Sequence, residues 1–239
     1  MKIPILMYHQ IDAPPPRGAS LRGLVVSPTS FGRQMALLKL LGYRCLSMHD
    51  LEPYLQGKKQ GKVVGLTFDD GYQNNLQYAL PVLVKNGFTA TCYAVSNAMG
   101  GSNSWDKHLG IAQKPLMTVE NWLVWLSNGM EVGSHTRHHV DLTKSTAEQA
   151  LDEIKGSKQE LQTTLGCEIR HFCYPYGWYS AEHRQLIQLA GYISATTTQR
   201  GRVQEGDDMY TLKRIMVARA THLGLFAAKI LSNYEDRRT

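Results

Sequence analysis

Val63-Val64-Gly65-Leu66-Thr67-Phe68-Asp69-Asp70-Gly71 decides the fold class. Its first six residues show no polar alternation, the pattern of a strand covered on both faces. The run stops at two carboxylates and a glycine, which is turn chemistry. Leu76, Leu80 and Leu83 then recur at helical spacing as far as Gly87. Thr89 to Val95 reads as the next buried strand. Strand, polar turn, helix and strand make a βα unit, in which the strands pair in parallel through the crossover.

The unit repeats in both directions. Upstream, Ile3 to Met7 reads as a strand, Ala13-Pro14-Pro15-Pro16-Arg17-Gly18 as a loop, and Ser27-Pro28 as a capped helix start. Phe31, Met35, Leu38 and Leu41 continue that helix, and Gly42 ends it. Downstream, Thr118 caps a helix containing Glu120, Trp122 and Leu126, and Met130 to Gly133 is a short strand. Thr143 to Leu165 reads as the longest helix, followed by a strand at His171 to Tyr174 and a helix at Ala181 to Ala190. Strands at Ile193 to Thr197 and Leu212 to Val217 and a closing helix at Leu223 to Leu231 complete the chain. About seven such units without an internal repeat or linker predict one α/β domain over residues 1–239. A distorted (β/α)7 barrel fits better than an open doubly wound sheet, and its chemistry belongs at the C-terminal strand ends.

Composition narrows the function classes. With 43% hydrophobic and 19% charged residues among 239, the chain is an ordinary globular one. Lys and Arg exceed Asp and Glu by 26 − 20 = +6, but no basic run forms, so no nucleic-acid partner is expected. No stretch of about 18 apolar residues predicts a membrane span. The apolar run after Lys2 is shorter than the roughly 7–15 residues of a secretory h-region, and no two of the four cysteines form a Cys-x-x-Cys pair. Reduced, mostly buried thiols and a cytoplasmic location are the expectation. Nothing in the sequence specifies the oligomeric state.

Three clusters fall at strand ends. In Asp69-Asp70 the adjacent carboxylates repel, so they need a cation or separate roles. One as metal ligand leaves the other as general base toward an attacking water; an Asp capping the next helix would look the same. In Ser134-His135-Thr136-Arg137-His138-His139, the imidazoles of His135 and His139 can face the same way on a helical turn, while His138 diverges. With Asp70 they make a His-His-carboxylate set typical of catalytic zinc. In Cys173-Tyr174-Pro175-Tyr176-Gly177, a Pro-aromatic-Gly turn can aim a backbone N–H into a cleft as an oxyanion donor.

These clusters, in this order and spacing, resemble the polysaccharide deacetylases of the NodB-homology group, carbohydrate esterase family four. The Thr-Phe-Asp-Asp-Gly, His-Thr-x-x-His-x-x-Leu and Tyr-Pro-Tyr-Gly motifs stand between Thr67 and Gly177, and the likeness extends to Ser27–Leu51 and to Leu212-Lys213-Arg214-Ile215. The resemblance implies metal-dependent removal of acetyl groups from N-acetylated sugars, whether polymeric, oligomeric or lipid-linked. It makes Asp69 the base, Asp70, His135 and His139 the ligands of a divalent metal, and the Tyr176 N–H an oxyanion donor. Zinc is the first choice, with cobalt or nickel as alternatives.

Two departures stand out. The Arg that orients the base in the third motif is replaced by Cys173, and Arg214 on the last strand is the candidate substitute; Arg170 is expected to point away. The C-terminal Leu-x-His that carries the acid is missing, since His222 lies in Thr221-His222-Leu223. Leu6-Met7-Tyr8-His9 ends the first strand, which barrel closure sets beside the last, so His9 is the candidate acid. That places the chain nearest the permuted subgroup that includes poly-N-acetylglucosamine deacetylases. Two competing readings are an amidase on a small non-sugar amide and a carbohydrate-binding protein that has lost catalysis with its Arg. Trp105 and Trp178 are either cleft-lining or core.

Overall fold

The computed structural model describes residues 2–237; Met1, Arg238 and Thr239, the outermost residues of the expected 1–239 domain, lie outside the described residues. Seven strands form a ring: β1 (Ile5–Tyr8), β2 (Val63–Phe68), β3 (Thr91–Ala94), β4 (Glu131–Ser134), β5 (His171–Cys173), β6 (Ser194–Arg200) and β7 (Leu212–Met216). All pairings are parallel and follow chain order. Closure comes where β7 returns to β1, with Ile215 opposite Leu6 and Met216 opposite Met7. The single domain is therefore the expected (β/α)7 barrel.

The distortion lies beside β2. A short strand, Arg44–Leu46, pairs with Val63–Gly65, and β3 takes over opposite Thr67 and Phe68. The sequence reading missed this strand and the helix after it. Three residues carry little periodicity, and Pro53 sits inside the helix.

Seven helices cover the ring: α1 (Pro28–Leu40), α2 (Met48–Leu55), α3 (Leu80–Asn86), α4 (Val119–Ser127), α5 (147–165), α6 (Ala181–Leu189) and α7 (Leu223–Leu231). The Ser27 hydroxyl caps α1, and Thr118 with Asn121 forms a capping box on α4. The α5 helix begins at Ala147 rather than Thr143. Asp141 caps a separate turn at Leu142–Lys144, and the Thr146–Gln149 capping box then starts the helix. Local side-chain caps outcompete the continuous pattern there.

Side chains alternate across the strands. Leu6, Tyr8, Leu66, Phe68, Cys92, Val132, Phe172 and Ile215 join the core shared with the helices. Ile5, Val63, Tyr93, Cys173 and Leu212 form a second, smaller cluster inside the ring. Tyr93 fills its waist: a Cβ on Gly133 would lie 2.4 Å from the tyrosine ring, so only glycine fits opposite it.

Candidate active site

At the C-terminal end, β1 and β2 are in register up to Tyr8 and Phe68, and the Asp69 N–H donates to the Tyr8 carbonyl at 3.0 Å. His9 and the two aspartates therefore leave neighbouring strands side by side. Asn75, just past the Asp69-Asp70-Gly71 turn, locks the segment after β1. Its amide donates to the His9 carbonyl at 2.7 Å and accepts from the Ile11 N–H at 3.1 Å. The turn itself needs Gly71, which has φ +73° and where an added Cβ would sit only 2.8 Å from the Trp122 ring.

Asp70, His135 and His139 converge. Asp70 Oδ1 lies 3.4 Å from His135 Nε2 and 3.3 Å from His139 Nε2, and all three residues are buried. The His135 Nδ1–H donates to the Cys173 carbonyl at 2.7 Å, which leaves Nε2 free for a ligand. Among the described residues, His139 Nδ1 is buried without a hydrogen-bond partner. Its ring is instead packed on three sides: stacked on Trp105 at 4.5 Å, and edge-on to His135 and Tyr176 at 4.9 and 4.8 Å. The two histidines do not share a helical turn, as their spacing suggested. Thr136 and His139 take left-handed backbone angles, φ 66° and 57°, and the Thr136 hydroxyl accepts from the His139 N–H at 2.9 Å. Asp70 (φ 74°) and Tyr176 (φ 60°) are left-handed as well. Each costs about 1–2 kcal/mol in a non-glycine residue, strain typical of a functional site.

Asp69 is held differently. Arg214 donates Nη1 to Oδ1 and Nη2 to Oδ2, both at 2.7 Å, in a bidentate pair. Arg214 is 1% exposed and is anchored by the Thr197 carbonyl and the Thr67 hydroxyl at 2.8 and 3.1 Å. Burial alone pushes the Asp69 carboxyl up, but the paired guanidinium outweighs it, and the group stays below the ordinary aspartate value. Burial likewise opposes ionisation of Asp70, and the two imidazoles on its oxygen hold it well below the usual range. His9 Nε2 faces the Asp69 Oδ2 oxygen at 3.9 Å.

The model of the polysaccharide deacetylase family matches residues 56–195, more than half of the chain. The chain belongs to the polysaccharide deacetylase family. YxkH of Bacillus subtilis is 32% identical over 97% of this chain and 77% of its own length. The poly-beta-1,6-N-acetyl-D-glucosamine N-deacetylase of Staphylococcus epidermidis is 26% identical over 83% of this chain and 70% of its own. Among solved structures, the Streptococcus pyogenes deacetylase PplD in complex with acetate superposes with TM-score 0.84 and 27% identity, covering 96% of this chain and 98% of PplD.

Beside Asp69, where the third motif lacks its Arg, another arginine stands. Cys173 is small enough to leave a slot beside Asp69, and Arg214 fills it from β7, its Nη2 3.1 Å from the thiol sulfur. Arg170 points to the opposite end, paired with Glu52. His222 lies outside the site and caps α7, accepting from the Leu225 N–H at 3.2 Å. His138 turns to Glu153 and Asn97. Of the two tryptophans left open by the sequence, Trp105 lines the site against His139, and Trp178 stands 53% exposed at the rim beside Tyr176. Asn75 had no signal in the sequence, because its role depends on the register of β1 against β2.

Proposed function

We propose that this deacetylase-family chain is a metal-dependent hydrolase that removes acetyl groups from N-acetylated sugars. One observation carries the reading: two imidazole nitrogens and a carboxylate oxygen converge, and a second carboxylate, clamped in its ionised form, lies next to them. The donor set fits a divalent metal. The atoms offered by Asp70, His135 and His139 lie within 4.8 Å of one another, and the Cys173 carbonyl fixes the tautomer of His135 that presents Nε2 inward. Two nitrogens and one oxygen favour zinc and also suit cobalt or nickel. Such an ion supplies Lewis-acid polarisation of the acetyl carbonyl and acidifies the attacking water.

The remaining work falls to the chain's own side chains. Asp69, kept ionised by Arg214, accepts the proton that the water loses as its oxygen adds to the carbonyl carbon. The Tyr176 N–H stabilises the negative charge that develops on the carbonyl oxygen. His9, whose Nε2 lies 3.9 Å from Asp69 Oδ2, donates a proton to the amide nitrogen as the C–N bond breaks. Acetate and a free amino sugar are the products, and the proton on Asp69 restores the balance.

The test is acetate release from a panel of N-acetylated sugars and small N-acetyl amides, with metal content measured on the same sample. About one divalent ion per chain and acetate from sugars alone support the reading. Acetate from small amides alone would redirect it to an amidase, and bound sugar without acetate to a binding protein.

A further inference from the structure

A cavity of about 170 Å³ opens beside His9 and Asp70, away from Tyr176. Its walls are two loops. One follows β1 and contributes Pro15, Leu21 and Leu24; the other follows β3 and contributes Ile111 and Ala112. The second loop also carries Trp105, so it runs from the face of His139 to the far side of the cavity.

The size is informative, because an apolar cavity of roughly 150 Å³ holds one benzene ring. This one can take the ring of one sugar with its substituents reaching out through the opening, and its apolar walls suit the C–H faces of a pyranose. Its position is informative as well. A general acid must reach the leaving nitrogen, directly or through one water, so the ring that carries that nitrogen lies on the His9 side.

The two walls are tied together. Lys114 and Asp12 both line the cavity and are joined at 3.0 Å, and the Asn74 amide donates to the same Asp12 oxygen at 3.3 Å. On the other wall, the Asn103 side chain accepts from the Lys114 N–H at 2.7 Å. A polymer threading past His9 needs a groove open at both ends, whereas a cross-tied pair of loops admits a ring end-on.

We infer that this cavity is the subsite for one N-acetylhexosamine ring, taken from a chain end or a short oligomer, and that the Asp12–Lys114 strap excludes internal units of a long polymer. The inference rests on the deacetylase reading of the site. It is tested with N-acetylglucosamine oligomers of one to six units and with the polymer, by acetate release and by binding to the slowly hydrolysing Asp69→Asn variant.

The wild type should release acetate from terminal units only, and its affinity should level off after the first or second ring. Lys114→Ala, Asp12→Ala and the double variant should each raise activity on the polymer relative to the dimer by about three- to fivefold, the range open to one exposed ion pair. The double variant should add nothing beyond the singles. Acetate from internal units at equal rates, or affinity that climbs with every added ring, would overturn the subsite while leaving the deacetylase reading intact. Equal polymer-to-dimer ratios in all four proteins would overturn the strap. No acetate and no binding from any oligomer would instead bring down the reading beneath it.

Discussion

The two ends of this barrel are built from the same residue types and on the same strands. β4 carries Glu131 at its start, with His135 following its end; β5 carries His171 at its start and Cys173 at its end. At the N-terminal end, His171 Nε2 lies 3.2 Å from Glu52 and 3.4 Å from Glu131, and its Nδ1 meets the Ser194 hydroxyl at 2.8 Å. Arg170 grips Glu52 with two bonds of 2.9 Å, and Glu131 also accepts from the Thr91 hydroxyl and the His49 N–H. Each carboxylate there is shared among donors of opposite or neutral charge, on ordinary backbone. At the C-terminal end, two histidines crowd one oxygen of Asp70, and the backbone is left-handed at Asp70, Thr136, His139 and Tyr176. Charge alone does not mark the site. Converging lone pairs on strained backbone do.

The largest expected effect separates the two ends outright. His139→Ala should lose the bound metal and bring acetate release to background, whereas His171→Gln should keep the metal and lower Tm. Metal content by elemental analysis and a thermal melt decide it; full metal in His139→Ala would erase the distinction. Next comes His9. Its replacement by Ala should leave fold and metal intact and cut turnover by roughly 10²–10⁴-fold, the usual cost of a general acid. His222→Ala, which removes only the cap of α7, should stay near the native rate. An active His9→Ala beside a dead His222→Ala would return the acid to the C-terminus.

The smallest effect belongs to the N-terminal end and appears in stability. Burial raises the Glu52 carboxyl, but hydrogen bonds from His171 and Arg170 more than reverse this and hold it at about 2, against 4.5 for a free glutamate. A depressed carboxyl stabilises the fold fully above its unfolded value, and that contribution fades as pH falls through the folded one. Glu52→Gln should therefore lose a few degrees of Tm at pH 7, with the gap to wild type closing below pH 4.5 and unchanged acetate release at neutral pH. A gap that keeps its full size from pH 7 down to pH 3 would assign the loss to packing instead.

Much of this was legible before any coordinates. The run ending in Asp69-Asp70-Gly71 announced β2 and its turn, because a doubly covered strand and a glycine turn are local properties. The closing of β7 on β1 followed from seven units in one domain, and with it the nearness of His9 and Arg214 to Asp69. What stayed hidden was non-local or conformational. The Arg44–Leu46 strand exists because the upper part of β2 faces β3 and the lower part does not. The left-handed turn at His139 leaves no periodic trace, and Asn75 serves His9 across 66 positions of sequence. The slot behind Cys173 is filled only because Arg214 points inward from β7.

The most direct test of the acid–base assignment at the C-terminal end is the Asp69→Asn variant, with metal content and acetate release measured on one preparation. The substitution keeps the side chain's shape and removes its capacity to take a proton. Full metal with turnover reduced roughly 10²–10⁴-fold is the expected result. Full metal with a near-native rate would contradict it and place the base elsewhere.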